Sequence, residues 1–546
     1  MKTVVLLFTA VTACFAQLTS DQKRADMRML VDVFAKNYAP YEWKKAAVKF
    51  DALKIGPWLD KAAATKTDLE FYDVCIDYVA SLFDAHDYLR LPSTFNASVG
   101  FTLDIYDGKV LIDSIDELRL PPDQFPAKVG DELVSFDGKS AADWLKDNAK
   151  YAFGGNTSSN RRDAAGLITS RSQVILPFAH KIGDEAEVVF KNEAGETKTA
   201  KVLWRKRGTP VELLAWPFTV SNSAAQTRAA QELVDYREIL KAKQNLMVDT
   251  EGRAMVRGIA AKEPIFALPE GFTATVGTGR FDTVYGGVIT FGEKKIGFLR
   301  IAQFAGASGT RLFRDALAAM KETTDALVID VTRNPGGSAC QVEDMAAELM
   351  TADWKVQGAE QITSWRQILA YQSAIESARL FGDEESAKFL EFDLENYQRA
   401  YKEGKGKTGP VPFCKIDETR KPLERAYPKP VLVLIDEFST SAAEHFAALL
   451  QDNGRAKLFG KRTTGAGGAV RTTSTGIYSE AQVSFTWTLT NRTRTIKTDD
   501  YPEAPYLENI GARPDIEFEM NTRDNLLQKG KLYTDAFLKA AKELIP

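Results

Sequence analysis

Residues 431–454, VLVLIDEFSTSAAEHFAALLQDNG, pass from an unbroken apolar run into an amphipathic helix, with Ser439, Thr440 and Ser441 in the turn between them. Five apolar residues in a row are too few for a buried helix and suit a strand covered on both faces. Two further runs have the same character, KKIGFLRI (294–301) and DALVIDV (325–331), and the segment between them, GTRLFRDALAAMKET (309–323), has helical spacing. Strands alternating with helices predict an α/β core built on a mixed, mostly parallel sheet.

Working outward, DMRMLVDVFAKNY and DLEFYDVCIDYVASLFDAH repeat apolar residues at three and four positions, which predicts a helical domain over 17–93. Residues 95–205 change to short alternating runs broken by turns, including Asp107-Gly108 and Asp137-Gly138, and predict a β-rich module. The core is expected in two parts, 206–339 and 426–525, around a charged, helix-rich insertion at 340–425, with a C-terminal helix at 526–546. That insertion suits a lid, a homodimer contact or a self-inhibitory segment equally.

The chain has 546 residues, 70 basic against 74 acidic, and 44% hydrophobic content. This is a soluble globular composition, and no global field draws it to nucleic acid or an anionic membrane. The opening MKTVVLLFTAVTACFAQ joins one lysine, a short apolar segment and small residues, the pattern of a secretory signal cleaved after Ala16. Its VTAC also resembles a lipobox, with Cys14 as a lipid anchor. Either reading exports the chain to a periplasmic or extracellular location. Of the other cysteines, Cys75, Cys340 and Cys414, a Cys340–Cys414 bridge is open in an oxidising compartment, while three buried thiols are the plainer expectation.

Chemistry is expected beyond the carboxyl ends of the core strands. There, TRNPGGSA places Gly336 and Gly337 where backbone amides can face an oxyanion, and EFSTSAAE places Ser441 at a helix start beside the amide of Ala442. Ser441 followed by Glu444 is also a capping box, which needs no catalysis. A nucleophilic serine needs a base, and the chain has three histidines: His86 at a helix end, His180 in the β module, and His445 one turn beyond Ser441 on the same helix.

The stretches DALVIDVTRNPGG, STSAAEHFAALLQDNGRAKLFGKRTTGAGG and LENIGARPDIEFE resemble the core of the tail-specific, or C-terminal processing, serine peptidases. VGDELVSFDGKS resembles part of a PDZ module. The resemblance implies a ClpP/crotonase-like peptidase core, a polypeptide substrate, and neither metal nor organic cofactor. It matches Ser441 to the nucleophile. The lysine that one branch carries in a Gly-Lys-Gly turn is absent: Gly465-Ala466-Gly467-Gly468 stands there, and Lys461 precedes it. The other branch, which includes tricorn and the chlamydial protease-like activity factor, uses a histidine and a glutamate, matched here by His86 and Glu508. Ala442, Gly336 and Gly337 then become the oxyanion donors. Glu503, Asp84 and Asp87 are reserve partners for the histidine, expected to be solvated. Backbone near Val99, Gly100 and Phe101 is a candidate for receiving an extended peptide or chain terminus. A non-catalytic binding protein for peptides or apolar ligands, and an esterase or amidase, remain alternatives on the same fold.

Overall fold

The computed structural model describes residues 17–211, 235–247 and 258–546; the signal-like segment and Cys14 lie outside the described residues. A six-stranded sheet forms the core. Val284–Phe291 pairs antiparallel with Lys294–Ile301, and Ala326–Asp330, Val431–Ile435, Lys457–Gly460 and Ile516–Glu517 follow in parallel, in that spatial order. Alternate residues feed two cores. Leu327, Ile329, Val431 and Val433 join the one shared with the helices Ala307–Thr323, Ala339–Ala347 and Ala442–Asp452. Val328, Leu432 and Leu434 pack with Phe537 and Leu538 of the C-terminal helix Lys531–Glu543. Burial on both faces is why these strands read as unbroken apolar runs.

The N-terminal helices Ser20–Asn37 and Asp68–Ala80 each open with a capping box, Thr19 with Gln22 and Thr67 with Glu70. Their apolar faces, among them Met27, Leu30, Phe34, Ile76 and Val79, merge into the same core as the peptidase strands. The next strand, Tyr88–Arg90, pairs antiparallel with Gln482–Thr486, setting Tyr88 opposite Ser484. That short ladder attaches the front of the chain to its far end.

Residues 95–211 form a separate apolar core around a sheet whose main strands run Phe101–Tyr106, Lys109–Ile115, Glu132–Phe136, Glu185–Lys191 and Thr197–Leu203. Both aspartate-glycine turns have positive φ at each residue, 49° and 76° for Asp107-Gly108 and 50° and 73° for Asp137-Gly138, as a two-residue hairpin requires. Between the core strands Ala326–Asp330 and Val431–Ile435, the helices Trp365–Leu380 and Glu384–Lys402 form a satellite cluster with the helix Tyr236–Gln244. Cys340 and Cys414 form a disulfide, against the expectation of free thiols. The reason is tertiary: the fold brings two residues 74 apart in sequence to a Cα separation of 5.5 Å. Cys75 is free and buried.

Candidate active site

The strand Val431–Ile435 ends in a turn tied on every side. Ser439 Oγ donates to the Val331 carbonyl (2.8 Å), and Thr440 N donates to that of Asn334 (2.9 Å). Asp436 Oδ1 accepts the Arg333 amide at 2.9 Å. Held this way, Ser441 has φ 57° and ψ −113°, a conformation that non-glycine residues seldom adopt. Glu444 fixes the turn from below. Its Oε1 accepts the amides of Ser441 (2.9 Å) and Ala466 (2.7 Å), and its Oε2 accepts Thr463 Oγ1 (2.6 Å) and the Gly465 amide (2.7 Å). The glutamate half of the capping box is therefore present, and the same carboxylate anchors the 463–466 turn.

His86 Nε2 lies 2.9 Å from Ser441 Oγ, across 355 residues of chain. Both side chains are buried. The ladder at Tyr88–Arg90 delivers the ring, and the 84–87 turn aims it: Asp84 Oδ1 accepts the His86 amide at 2.9 Å, and Asp87 Oδ1 accepts the Thr486 amide at 2.8 Å. Burial lowers the His86 pKa to about 4, with Lys44 acting in the same direction and Asp84 against it, so the ring is neutral and fit to accept a proton near neutrality.

The other histidines are elsewhere. His445 packs its ring against Phe413 at 5.2 Å, and neither of its ring nitrogens has a partner among the described residues. His180 Nδ1 is 2.9 Å from Gln173 Nε2 in the β module. Lys461 pairs with Glu517 at 2.8 Å and Glu519 at 3.3 Å.

Glu508 is fully buried, but both its oxygens are engaged away from His86: Oε1 accepts from Lys44 Nζ, and Oε2 accepts the Gly467 amide at 2.8 Å. His86 Nδ1 has no partner among the described residues. Asp84 and Asp87 correct the expectation of solvated carboxylates, being only 7% exposed each. The 84–87 turn is packed under the Tyr88–Arg90 ladder, where Tyr38 Oη donates to Asp84 Oδ2 at 2.8 Å and Thr486 Oγ1 to Asp84 Oδ1 at 3.1 Å. Burial pushes the Asp87 carboxyl well above the usual range, and Asp84 adds to the push. Glu503 is exposed and accepts from Thr495 Oγ1 at 3.3 Å.

Gly336 and Gly337 have φ of 107° and 145°. A Cβ on Gly336 would stand 3.0 Å from Ser441 Cβ and 3.1 Å from the Ala442 nitrogen, so the loop lies directly against the serine turn. The Gly336 amide is already committed to Asn334 Oδ1 (2.8 Å), which corrects its assignment as a free donor. Gly337 pairs in register with Leu246 of the strand Asn245–Met247. The Ala442 amide opens its helix, where N–H groups have no partner within the helix. In the β module, Val99 and Phe101 are buried, the Val99 amide donates to the Thr169 carbonyl (3.2 Å), and the Gly100 carbonyl accepts from Asp116 (2.9 Å). The Val99 amide is therefore spent within its own domain.

Lys44 and Asn509 escaped the sequence reading. Lys44 Nζ also donates to Asn509 Oδ1 (2.8 Å) and the Phe83 carbonyl (3.1 Å), and Asn509 Nδ2 donates to the carbonyls of Phe83 (2.9 Å) and Gly155 (2.7 Å). A signal existed: Pro40, which precedes the short helix Tyr41–Ala47, and Trp43 and Lys44 within it are buried, at the three- and four-residue spacing of an inward stripe.

A buried serine–imidazole pair beside a glycine loop, on a sheet with helices over both faces, defines a serine-type hydrolase. Residues 295–518 match the model described as peptidase family S41, and residues 95–211 match a PDZ domain. Residues 295–518 are thus a family S41 peptidase core of the tail-specific type, with a PDZ domain ahead of it. A protein of Chlamydia pneumoniae is 24% identical over 99% of this chain and 92% of its own length. A carboxyl-terminal-processing protease of Picosynechococcus sp. is 27% identical over 32% of this chain and 30% of that one. The structure of mature CPAF complexed with lactacystin is similar in fold, with a TM-score of 0.73 at 22% identity, covering 96% of this chain and 99% of that one.

Proposed function

We propose that this S41 peptidase cleaves extended or unfolded polypeptide outside the cytoplasm, with Ser441 as nucleophile, His86 as general base and Glu508 as the charge that supports the imidazolium. The observation carrying this reading is the 2.9 Å approach of His86 Nε2 to Ser441 Oγ. In the acylation step Oγ bonds to the scissile carbonyl carbon while its proton passes to Nε2. The carbonyl oxygen takes the negative charge, which the Ala442 amide at the start of the serine helix is placed to receive. His86 then returns the proton to the leaving amine as the C–N bond breaks, and water repeats the sequence to release the acyl group.

Export is supported by the N-terminal pattern and by the Cys340–Cys414 disulfide, which persists in oxidising compartments. Among the described residues no helix is long and apolar enough to cross a membrane. The test is fluorophosphonate labelling and casein cleavage by the mature chain beside Ser441→Ala and His86→Ala. Label on Ser441 and loss of cleavage in both variants are expected. Cleavage surviving in Ser441→Ala removes the mechanism.

A further inference from the structure

Around His86 the fold buries three carboxyl groups, Asp84, Asp87 and Glu508, together with the ammonium of Lys44. The Lys44 side chain has no solvent exposure. It touches Glu508 Oε1, Asn509 Oδ1 and the Phe83 carbonyl, and stands 3.9 Å from Asp84 Oδ2. Asn509 is itself held by Trp43 Nε1 at 3.0 Å, so the ammonium sits in a socket whose acceptors are fixed from behind. A lysine placed so fully in the interior costs several kcal/mol of lost hydration unless acceptors surround it.

We infer that Lys44 is a positioning residue of this peptidase: its ammonium fixes the Glu508 side chain and favours its ionised form beside two other carboxyl groups, so that Glu508 can counter the charge of His86 while it holds the Ser441 proton. This rests on the Ser441–His86–Glu508 reading. Burial and Asp84 leave the Glu508 carboxyl raised to about 8, and Lys44 is the largest influence holding it down, joined by the Gly467 amide, so that loss of the ammonium would raise it further. Lys44 in turn is held protonated by Glu508 and Asp84 against its burial. One oxygen on an ammonium and the other on an amide N–H is an arrangement that favours the ionised carboxylate. The titratable groups facing this pair are Asp84, His86 and Asp87 from the 84–87 turn, Tyr38 from the end of the first helix, and Tyr501 from the segment before Glu508.

The experiment compares the full chain with Lys44→Met, Glu508→Gln and the double variant, which removes both charges and leaves neither uncompensated. Hydrolysis of a fluorogenic casein-derived peptide is followed across pH, with Ser441→Ala and His86→Ala alongside. Lys44→Met is expected to lower kcat about 10- to 100-fold near neutrality with KM little changed, and to move the acid limb of kcat upward by about one pH unit or more. The double variant is expected to match Glu508→Gln alone, because Lys44 acts through that carboxylate. An unmoved limb in Lys44→Met, or defects that multiply in the double variant, overturns the inference. If Ser441→Ala and His86→Ala are inactive in that case, the Lys44 assignment alone falls. Activity in Ser441→Ala instead sinks the catalytic reading beneath it.

Discussion

His445 offers a prediction that separates a buried imidazole from a catalytic one. Burial lowers its pKa to about 3, whereas a histidine in an unfolded chain titrates near about 6.5. The unfolded chain therefore binds a proton that the folded chain refuses. The associated stability is complete above the unfolded value and is lost as pH falls toward the folded one. From about pH 7.5 to about pH 5 the loss is about 1.5 units at 1.36 kcal/mol each, roughly 2 kcal/mol for this one ring. His86, whose pKa is lowered to about 4, adds a similar loss that is present with or without His445. In His445→Leu the acid penalty should shrink by about 2 kcal/mol, whatever the substitution costs at neutral pH. Urea unfolding followed by tryptophan fluorescence at the two pH values reads this double difference, and fluorophosphonate labelling of the same variant should persist. Equal acid sensitivity in the two proteins would refute the buried neutral ring, and lost labelling in a folded variant would return His445 to the chemistry.

Gly336→Ala is expected to lower kcat by about 100-fold or more, since oxyanion geometry is commonly worth that much. Its Cβ would lie 2.2 Å from the Leu246 carbonyl oxygen and 3.0 Å from Ser441 Cβ, at a φ of 107°. Steady-state kinetics that keep more than a tenth of the activity would contradict it. Cys340→Ser should destabilise the chain by about 4 kcal/mol, on the loop entropy released by opening a closure of 74 residues. Urea midpoints with and without reductant check this, because the variant should no longer respond to reductant.

The core strands were legible because burial on both faces leaves an unbroken apolar string, as in Val431–Ile435. The serine turn was legible because a hydroxyl cluster sits between that string and an amphipathic helix. The approach of His86 to Ser441 was not readable from periodicity. The ladder that makes it, Tyr88–Arg90 against Gln482–Thr486, is too short to leave a pattern, and only the family resemblance pointed to His86. Asp84 and Asp87 were misjudged because a DAHD turn looks hydrophilic until the distant Thr486 and Tyr38 cover it. Lys44 was hidden by its neighbour Lys45, which is exposed and makes the pair look like ordinary surface charge.

The ladder between Tyr88–Arg90 and Gln482–Thr486 also governs timing. A chain still leaving the ribosome has its imidazole early, its hydroxyl much later, and the strand that brings them together later still. On the proposed Ser441–His86 mechanism, hydrolytic competence therefore waits until the segment Gln482–Thr486 has been synthesised and has paired.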